Sequence, residues 1–418
     1  MLTVGSRGDV QPFVALAAGL RAGGHDAVLA APAMFGDLAA AHGVPFAPFD
    51  LDMSEVGAVL ADRHGLSHLA RFCQTMGRRA AAVLPGAAAA AARADADIVV
   101  HHPVLPLGQH LAEMLGVPAV VAQPNPVLVP TREFLSAAWP GRAPRIVNRP
   151  SYPAARHLAG LWCRRDIDRW RRDGPDLPPR RGRHDPLRSP DGAPVTVLHS
   201  FSAHVVPRPA DWPSTAHVTG YWLLPTAPDW SPPRRLAEFL DHGDPVVYIG
   251  FGSMPSPHPE RLAEAMIAAA GQAGTRAVVA SLSPVLRRLL PASQFLVLRN
   301  APHDWLFPRM RAIVHHGGAG TVGAAIVAGR PQVIWPFGID QPFWSRRMTS
   351  LGVAPPGRPA RALTGASFAA ALNHALGDRQ LAERAAELGA KVRAEDGIGE
   401  AISRLESVVA HARHVVDA

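Results

Sequence analysis

Four short stretches of this chain carry side chains suited to chemistry on a charged, hydroxylated ligand. The richest runs from Ile313 to Gln341, I-V-H-H-G-G-A-G-T-V-G-A-A-I-V-A-G-R-P-Q-V-I-W-P-F-G-I-D-Q. Its apolar start reads as the end of a buried strand. Gly317, Gly318 and Gly320 then form a turn that brings bare backbone close to whatever sits above it. Thr321 to Ala328 has helical composition, stopped by Gly329 and Pro331. A strand, a glycine turn and a helix start offer N–H groups and a positive helix end to a phosphate. His315 stands in front of that cradle and Asp340-Gln341 behind it. A carboxylate accepts hydroxyl bonds and an amide both donates and accepts, which suits a polyol. The other stretches supply Asp9, in G-S-R-G-D-V-Q-P at 5–12, and Ser253, in V-Y-I-G-F-G-S-M at 247–254. A carboxylate, a hydroxyl, an imidazole and a phosphate cradle together suit transfer of a group from a nucleotide diphosphate.

A second chemistry competes at the same place. Gly318-Ala319-Gly320-Thr321-Val322-Gly323 fits G-x-G-x-x-G, the dinucleotide fingerprint, with Asp340 roughly where a ribose-binding acid belongs. Two features count against a nicotinamide or flavin oxidoreductase. The pair His315-His316 interrupts the step from strand to first glycine. The unit also lies late in the chain, with another strand–glycine–helix unit at the N-terminus.

The elements that position these residues read as two α/β domains. Leu2 to Val4 is a strand stub, Gly5 to Gly8 a turn, and Asp9 opens a helix with Pro12 in its first turn and Gly23-Gly24 at its end. Ala27 to Ala31, Ile98 to Val100, Pro118 to Ala122 and Val195 to Leu198 read as strands. Leu66 to Ala92 and Leu105 to Leu115 read as helices. The first strand is short: either the true start lies upstream of Met1 or the strand is clipped. From Val127 to about Pro194 regularity falls away, with nine arginines between Arg164 and Arg188. That stretch reads either as a solvated excursion or as an acceptor-binding flap. A Pro/Trp-rich run from Asp211 to Pro233 is the candidate linker. Beyond it come strands at Pro245 to Ile249, Ala277 to Ala280 and Phe295 to Leu298, a helix from Pro259 to Gly271, the central unit, and helices at Phe368 to Leu376, Gln380 to Arg393 and Ala401 to Val416.

Composition narrows the classes. At 418 residues and 48% hydrophobic content, two globular domains are the default. The formal charge of +8 comes from 42 basic and 34 acidic residues, and the basic ones are almost all arginine, since Lys391 is the only lysine. No nucleic-acid-binding signature accompanies it, and aromatic residues make up only 6%. A basic face instead suits a diphosphate or anionic lipid. Two cysteines, Cys73 and Cys163, are too few for a disulfide framework, and no signal peptide opens the chain, which together imply a cytoplasmic protein. The uncharged run Met114 to Thr131 holds four prolines and does not read as a spanning helix, leaving peripheral contact at the inner face of a membrane open.

Taken in order, the stretches at 5–12, 247–254 and 315–321, with P-F-G-I-D-Q-P-F-W at 336–344, resemble family 1 glycosyltransferases. The branch is that of bacterial antibiotic glycosyltransferases and sterol 3-beta-glucosyltransferases, and the resemblance runs from Val4 to about Gly352. It implies an α/β, GT-B architecture of two Rossmann-like domains facing a central cleft. An acceptor domain would occupy 1–210, a linker 211–233 and a nucleotide-sugar domain 234–395, with a helix at 396–418 crossing back onto the first domain.

Roles follow from the resemblance residue by residue. Asp9 matches the general base that takes the acceptor's proton, although a plain helix cap is the competing reading. His315 matches the histidine on the diphosphate, beside the N–H groups of Gly318, Ala319 and Gly320; Thr321 and Ser253 match phosphate neighbours. Asp340 and Gln341 match the pair on the sugar hydroxyls. Ser6, Arg7 and His101 would shape the acceptor site. The implied reaction inverts the sugar and needs no metal and no cofactor. It moves a hexose from a UDP or dTDP donor to a hydroxyl of a lipophilic small molecule, with no nucleic acid as partner and no oligomeric state specified. Two departures stand out: Gly323 occupies a place where many relatives have a ribose-binding glutamate, and Trp305 lies a few residues past the usual base-stacking position. The pairs Asp50/Asp52, Asp95/Asp97 and Asp166/Asp168 read as surface acids rather than a metal site. A GT-B sugar-nucleotide epimerase and a non-catalytic binding homologue are the rival readings.

Overall fold

A computed structural model of the chain describes residues 1–51, 83, 86–93, 95–103, 107–139, 141, 143–178, 180, 184–241, 243, 246–252 and 258–416. The expected helix from Leu66 and the residues Cys73, Asp52 and Ser253 therefore lie wholly or largely outside the described residues. The chain divides into two compact units. One comprises Met1–Ala138, Arg142–Leu224 and Asp396–Ala418; the other comprises Pro225–Glu395 with Trp139–Gly141.

The first unit is built on parallel strands: β1 (Leu29–Pro32), β2 (Phe46–Phe49), β3 (Val99–His101), β4 (Ala119–Gln123), β5 (Thr196–His199) and β6 (Ala216–Val218). β1 pairs with β2, and β3 to β6 pair in sequence order. The N-terminal stub joins the two groups, because Leu2 bridges Ala30 on one side and His101 on the other, both in parallel. Its ladder is carried by Leu2 N–H to Val100 O at 2.8 Å and Thr3 N–H to Ala30 O at 3.0 Å. Strands covered on both faces need apolar residues throughout, and β1 is buried at every position. Helix α1 (Arg7–Ala22) buries Val10, Phe13, Val14 and Leu16 against this sheet. Helix α8 (Gly397–Val416) completes the same core with Ala401 and Leu405. It passes so close to α1 that a Cβ on Gly19 would overlap Ile398.

The second unit is a five-stranded parallel sheet in the order β11-β10-β7-β8-β9. Its strands are β7 (Val246–Gly250), β8 (Arg276–Ala280), β9 (Phe295–Leu298), β10 (Ile313–His315) and β11 (Gln332–Ile334). Alternate residues feed two cores. Val247, Ile249 and Val314 pack with helices α4 (Pro259–Gln272) and α7 (Gly365–Gly377), while Val246, Tyr248 and Ile313 pack with α5 (Ala319–Val327). Helices cover both faces, so every loop at the carboxyl edge of the strands faces away from the core, where ligands of open α/β sheets bind.

Three features differ from the sequence reading. Residues 211–224 are part of the first unit, and the division falls between Leu224 and Pro225. Trp212 and Trp222 there are buried and β6 pairs with β5, so the Pro/Trp composition reflects packing as well as connection. The irregular stretch holds a 26-residue helix, α3 (Asn148–Asp173), with Pro150 and Pro153 near its start. Pro150, in the first turn, costs the helix little, because the first N–H groups have no intrahelical acceptor, whereas Pro153 lies inside the helix and forgoes one intrahelical bond. Nor is its arginine run simply solvated. Arg171 is 1% exposed and grips Glu113 of helix α2 (Gly108–Leu115) with two bonds of 2.7 and 2.8 Å. Burial pushes the Glu113 carboxyl up, but the bonds from Arg171 prevail and pull it down to about 2. Arg171 Nη1 also reaches His110 Nδ1 at 3.0 Å, and His110 Nε2 lies 3.1 Å from His184 Nδ1. His184 Nε2 in turn lies 3.0 Å from Asp168. A guanidinium only donates, so His110 Nδ1 accepts. Each imidazole then donates from Nε2, and the chain runs in one direction to Asp168 with both rings neutral.

Candidate active site

Asp9 occupies the third position of α1. Its Oδ2 accepts the Ser6 N–H at 2.7 Å and the Ser6 hydroxyl at 2.9 Å, and its backbone oxygen accepts the Thr3 hydroxyl at 3.0 Å. The carboxylate curls back over Gly5, whose φ of +134° and lack of Cβ are both required: a Cβ there would overlap Asp9 Oδ2. The cap thus engages one oxygen. The other, Oδ1, lies 3.9 Å from Nε2 of His102, too far for a hydrogen bond. His102 is buried, and burial lowers its pKa against a smaller upward pull from Asp9. Its ring meets Phe13 of α1 edge-on at 6.1 Å. Ser6 and Arg7 are exposed, and the Arg7 Nε–H donates to Gln11 at 3.0 Å.

His101 lies elsewhere. It is fully buried, and Gly108 at the start of α2 sits so close that a Cβ there would overlap the His101 ring. Neither of its ring nitrogens has a hydrogen-bond partner among the described residues, and burial pulls its pKa down to about 4. His101 is thus packed into the fold at the end of β3. Successive residues of a strand face opposite sides, and it is His102 that emerges beside Asp9.

The second unit repeats the pattern. His315 ends β10 and is fully buried. Its Nδ1 accepts the Gly317 N–H at 3.0 Å, and its Nε2 lies 2.9 Å from Gln332 Oε1, so both ring nitrogens are engaged inside the fold. Burial takes its pKa down to about 3. Both ring nitrogens of His315 are thus taken up inside the fold. The ring among the glycine loops is that of His316. A Cβ on Gly252, after β7, would lie 2.9 Å from it, and one on Gly318, at the N-cap of α5, 2.5 Å from it. Burial also holds His316 down, at about 4, against the Gly250 backbone.

No side chain caps α5, and Ala319, Gly320 and Thr321 form its first turn. The N–H groups of such a turn have no intrahelical acceptor. Beside it stands the segment before helix α6 (Gln341–Ser350). A Cβ on Gly317 would meet Gln341 backbone oxygen at 3.2 Å. Gln341 is buried, and its Oε1 accepts the N–H groups of Phe337 at 2.7 Å and Gly338 at 3.3 Å. That leaves its amide hydrogens as the part suited to an outside oxygen. Asp340 holds the N-cap position without capping through its side chain. Ile339 before it has φ +55°, a strained conformation for a β-branched residue. Trp305 is already sandwiched, edge-on to Trp230 at 5.3 Å and under the Arg309 guanidinium at 4.1 Å. Of the three acidic pairs, Asp97 is bonded to Arg413 at 2.7 Å and Asp168 to His184.

Two doubly wound units, each gathering polar residues on loops at the carboxyl edge of a parallel sheet, are the architecture of a GT-B glycosyltransferase. Residues 1–131 match the glycosyltransferase family 28 N-terminal domain, and residues 263–408 match the erythromycin biosynthesis protein CIII-like C-terminal domain. The chain is 34% identical to a sterol 3-beta-glucosyltransferase of Emericella nidulans over 97% of its own length and 29% of that protein. It is 33% identical to the sterol 3-beta-glucosyltransferase UGT80A2 of Arabidopsis thaliana over 96% of its own length and 64% of that protein. It thus spans under a third of the fungal relative's length and just under two thirds of the plant relative's. The crystal structure of the kitacinnamycin glycosyltransferase superposes with a TM-score of 0.69 at 20% identity, covering 98% of both chains. The chain belongs to the family of GT-B glycosyltransferases that holds the sterol and antibiotic enzymes.

Sequence reasoning put His101 and His315 forward from the two dipeptides; the structure places His102 beside Asp9 and His316 among the glycine loops, and adds the close approach of Gly5 to Asp9. The alternation of strand residues was the available signal. In β10, Ile313 and His315 share one face, which leaves His316 to leave the strand on its own.

Proposed function

We propose that this chain transfers a glucosyl group from a UDP or dTDP donor to the hydroxyl of a sterol or a sterol-like lipophilic alcohol, with inversion at the anomeric carbon. The observation that carries the reading is the divided carboxylate of Asp9, one oxygen fixed by Ser6 and the other outside the cap. The sterol preference is supported by the relatives, whose names specify sterol 3-beta-glucosyltransferases.

In this mechanism Asp9 Oδ1 takes the proton of the acceptor hydroxyl. The freed oxygen forms a bond to C1 of the sugar as the C1–O bond to the diphosphate breaks, and the electron pair leaves on the nucleoside diphosphate. His102, neutral and packed on Phe13, is a positioning residue that limits where the Asp9 carboxylate can swing. The N–H groups at the start of α5 and the ring of His316 meet the growing phosphate charge. Asp340 and the Gln341 amide hold sugar hydroxyls. Arg7 and Ser6 border the acceptor. Those groups match the leaving charge without a metal ion.

The test incubates the chain with UDP-glucose and dTDP-glucose, a sterol panel and a macrocyclic-alcohol panel, with and without EDTA. Mass spectrometry reads the product and NMR its anomer. A β-glucoside formed equally with EDTA supports the reading. An α-glucoside, free glucose without transfer, or a metal requirement overturns it. Transfer to the macrocyclic alcohols alone would move the acceptor class to polyketide-like alcohols.

A further inference from the structure

We propose that the turn Arg145–Val147 and the first residues of α3 form a docking surface for an anionic lipid bilayer. Ile146 is 84% exposed and Val147 39%, two large apolar side chains side by side on a single 3₁₀ turn. Arg145 and Arg149 flank them and are exposed. The sequence around the turn is one-signed: between Glu133 and Asp166 it contains arginines at 142, 145, 149, 156, 164 and 165 and no acid. The acid that does face Arg149 is Asp211. Its carboxylate is already taken by the Thr131 hydroxyl at 2.6 Å and the Arg132 N–H at 2.9 Å.

The turn is not loose chain that happens to expose an isoleucine. Asn148, immediately after it, is buried and donates to Arg132 O at 2.9 Å, and Ser151 bonds Asn148 O at 2.6 Å and receives the Ser136 N–H at 3.0 Å. The base is fixed and the apolar tip is held outward. An apolar tip flanked by two exposed arginines, with the nearby Asp211 already engaged, matches a surface with negative headgroups outside and acyl chains beneath. A protein partner would more often meet a mixed-charge rim. Among the described residues no helix is long and apolar enough to cross a membrane, so contact of this kind is peripheral.

The test is co-sedimentation of the full chain with sucrose-loaded vesicles of phosphatidylcholine alone or mixed with phosphatidylglycerol. Binding is expected to the mixed vesicles and to fall steeply with salt. Ile146→Asp should weaken it about tenfold, and Arg145→Glu with Arg149→Glu on the order of a hundredfold. Leu282→Asp, at an exposed leucine of the second unit, should leave it unchanged. Thermal melting checks that the variants are folded, which the exposure of all four positions favours. Equal binding to both vesicle types, no binding, or a loss with Leu282→Asp matching that with Ile146→Asp overturns the proposal. Turnover of a soluble acceptor is a separate readout. It tests the glycosyl-transfer reading and is expected to be the same in the Ile146 variant as in the parent.

Discussion

The chain uses the dipeptide His-His twice, each time where a parallel strand runs out at its carboxyl edge. At the end of β3, His101 turns inward and His102 comes out beside Asp9; at the end of β10, His315 turns inward and His316 comes out among the glycine loops. The outward rings are alike in being held neutral by burial. The inward rings differ. His315 is bonded at both nitrogens, which ties the turn at Gly317 to β11 through Gln332. His101 is packed against Gly108 with neither nitrogen bonded among the described residues. One inward histidine is thus a strut for its loop, while the other mainly fills space. A shared sequence pattern at two strand ends does not imply a shared job.

The largest expected effect tests the outward side of the first pair. Asp9→Asn should keep the bond to the Ser6 N–H, since the amide oxygen can accept it, and so preserve the fold. It should lower turnover by about 10³-fold or more while leaving nucleotide affinity within a fewfold. Turnover near that of the parent would end the assignment of Asp9 as base. The second pair gives the next largest effect and separates its two members. His316→Ala should lower turnover by about 10²-fold with little change in melting. His315→Ala should instead cost about 3 kcal/mol of stability, because it strands the Gln332 carbonyl and the Gly317 N–H in the interior. If the two variants exchange these outcomes, the division into inward strut and outward ligand fails.

Much of this was legible beforehand. The strand–glycine–helix unit at 313–334 and the strands at 246–250 and 295–298 follow from apolar runs bounded by glycine and proline. The dipeptides of the candidate site were legible too, because their residue types are rare in plain turns. What stayed hidden depends on partners distant in sequence. α3 looks irregular because its prolines and arginines are poor helix signals, yet Arg171 has a bidentate partner in Glu113, 58 residues earlier. β6 looks like linker because its apolar content is two tryptophans nearby, Trp212 and Trp222, whose burial only the sheet reveals. Which histidine of a pair faces out depends on strand phase, and the phase of a three-residue strand is set by its neighbours in the sheet.

Acid acts on the buried histidines as a group, inward and outward alike. Burial holds His101, His110 and His316 at about 4 and His199 and His315 at about 3, all below the ordinary 6.5. As pH falls below 6.5 the unfolded chain takes up these protons first. Stability is therefore complete above pH 6.5 and is lost as pH drops toward the folded values, by about 1.4 kcal/mol per pH unit for each such group. Urea unfolding at pH 8, 7 and 5 should show a midpoint changing little over the first interval and falling steeply over the second. A midpoint that holds steady down to pH 5 would mean that these rings are protonated, or hydrated, in the folded protein.

The smallest effect sharpens the comparison most. Removing a buried polar ring that makes no hydrogen bonds relieves a desolvation cost, whereas removing one that makes two leaves its partners stranded. His101→Leu should accordingly hold or raise stability, by about 1 kcal/mol at most, with the side chain still filling the space under Gly108. His315→Leu, the same change at the other strand end, should lower it. Measured in parallel by urea unfolding at pH 8, where both buried rings are neutral, the two substitutions should move the midpoint in opposite directions. Two equal losses would mean that His101 is bonded after all and that the two strand ends are built alike.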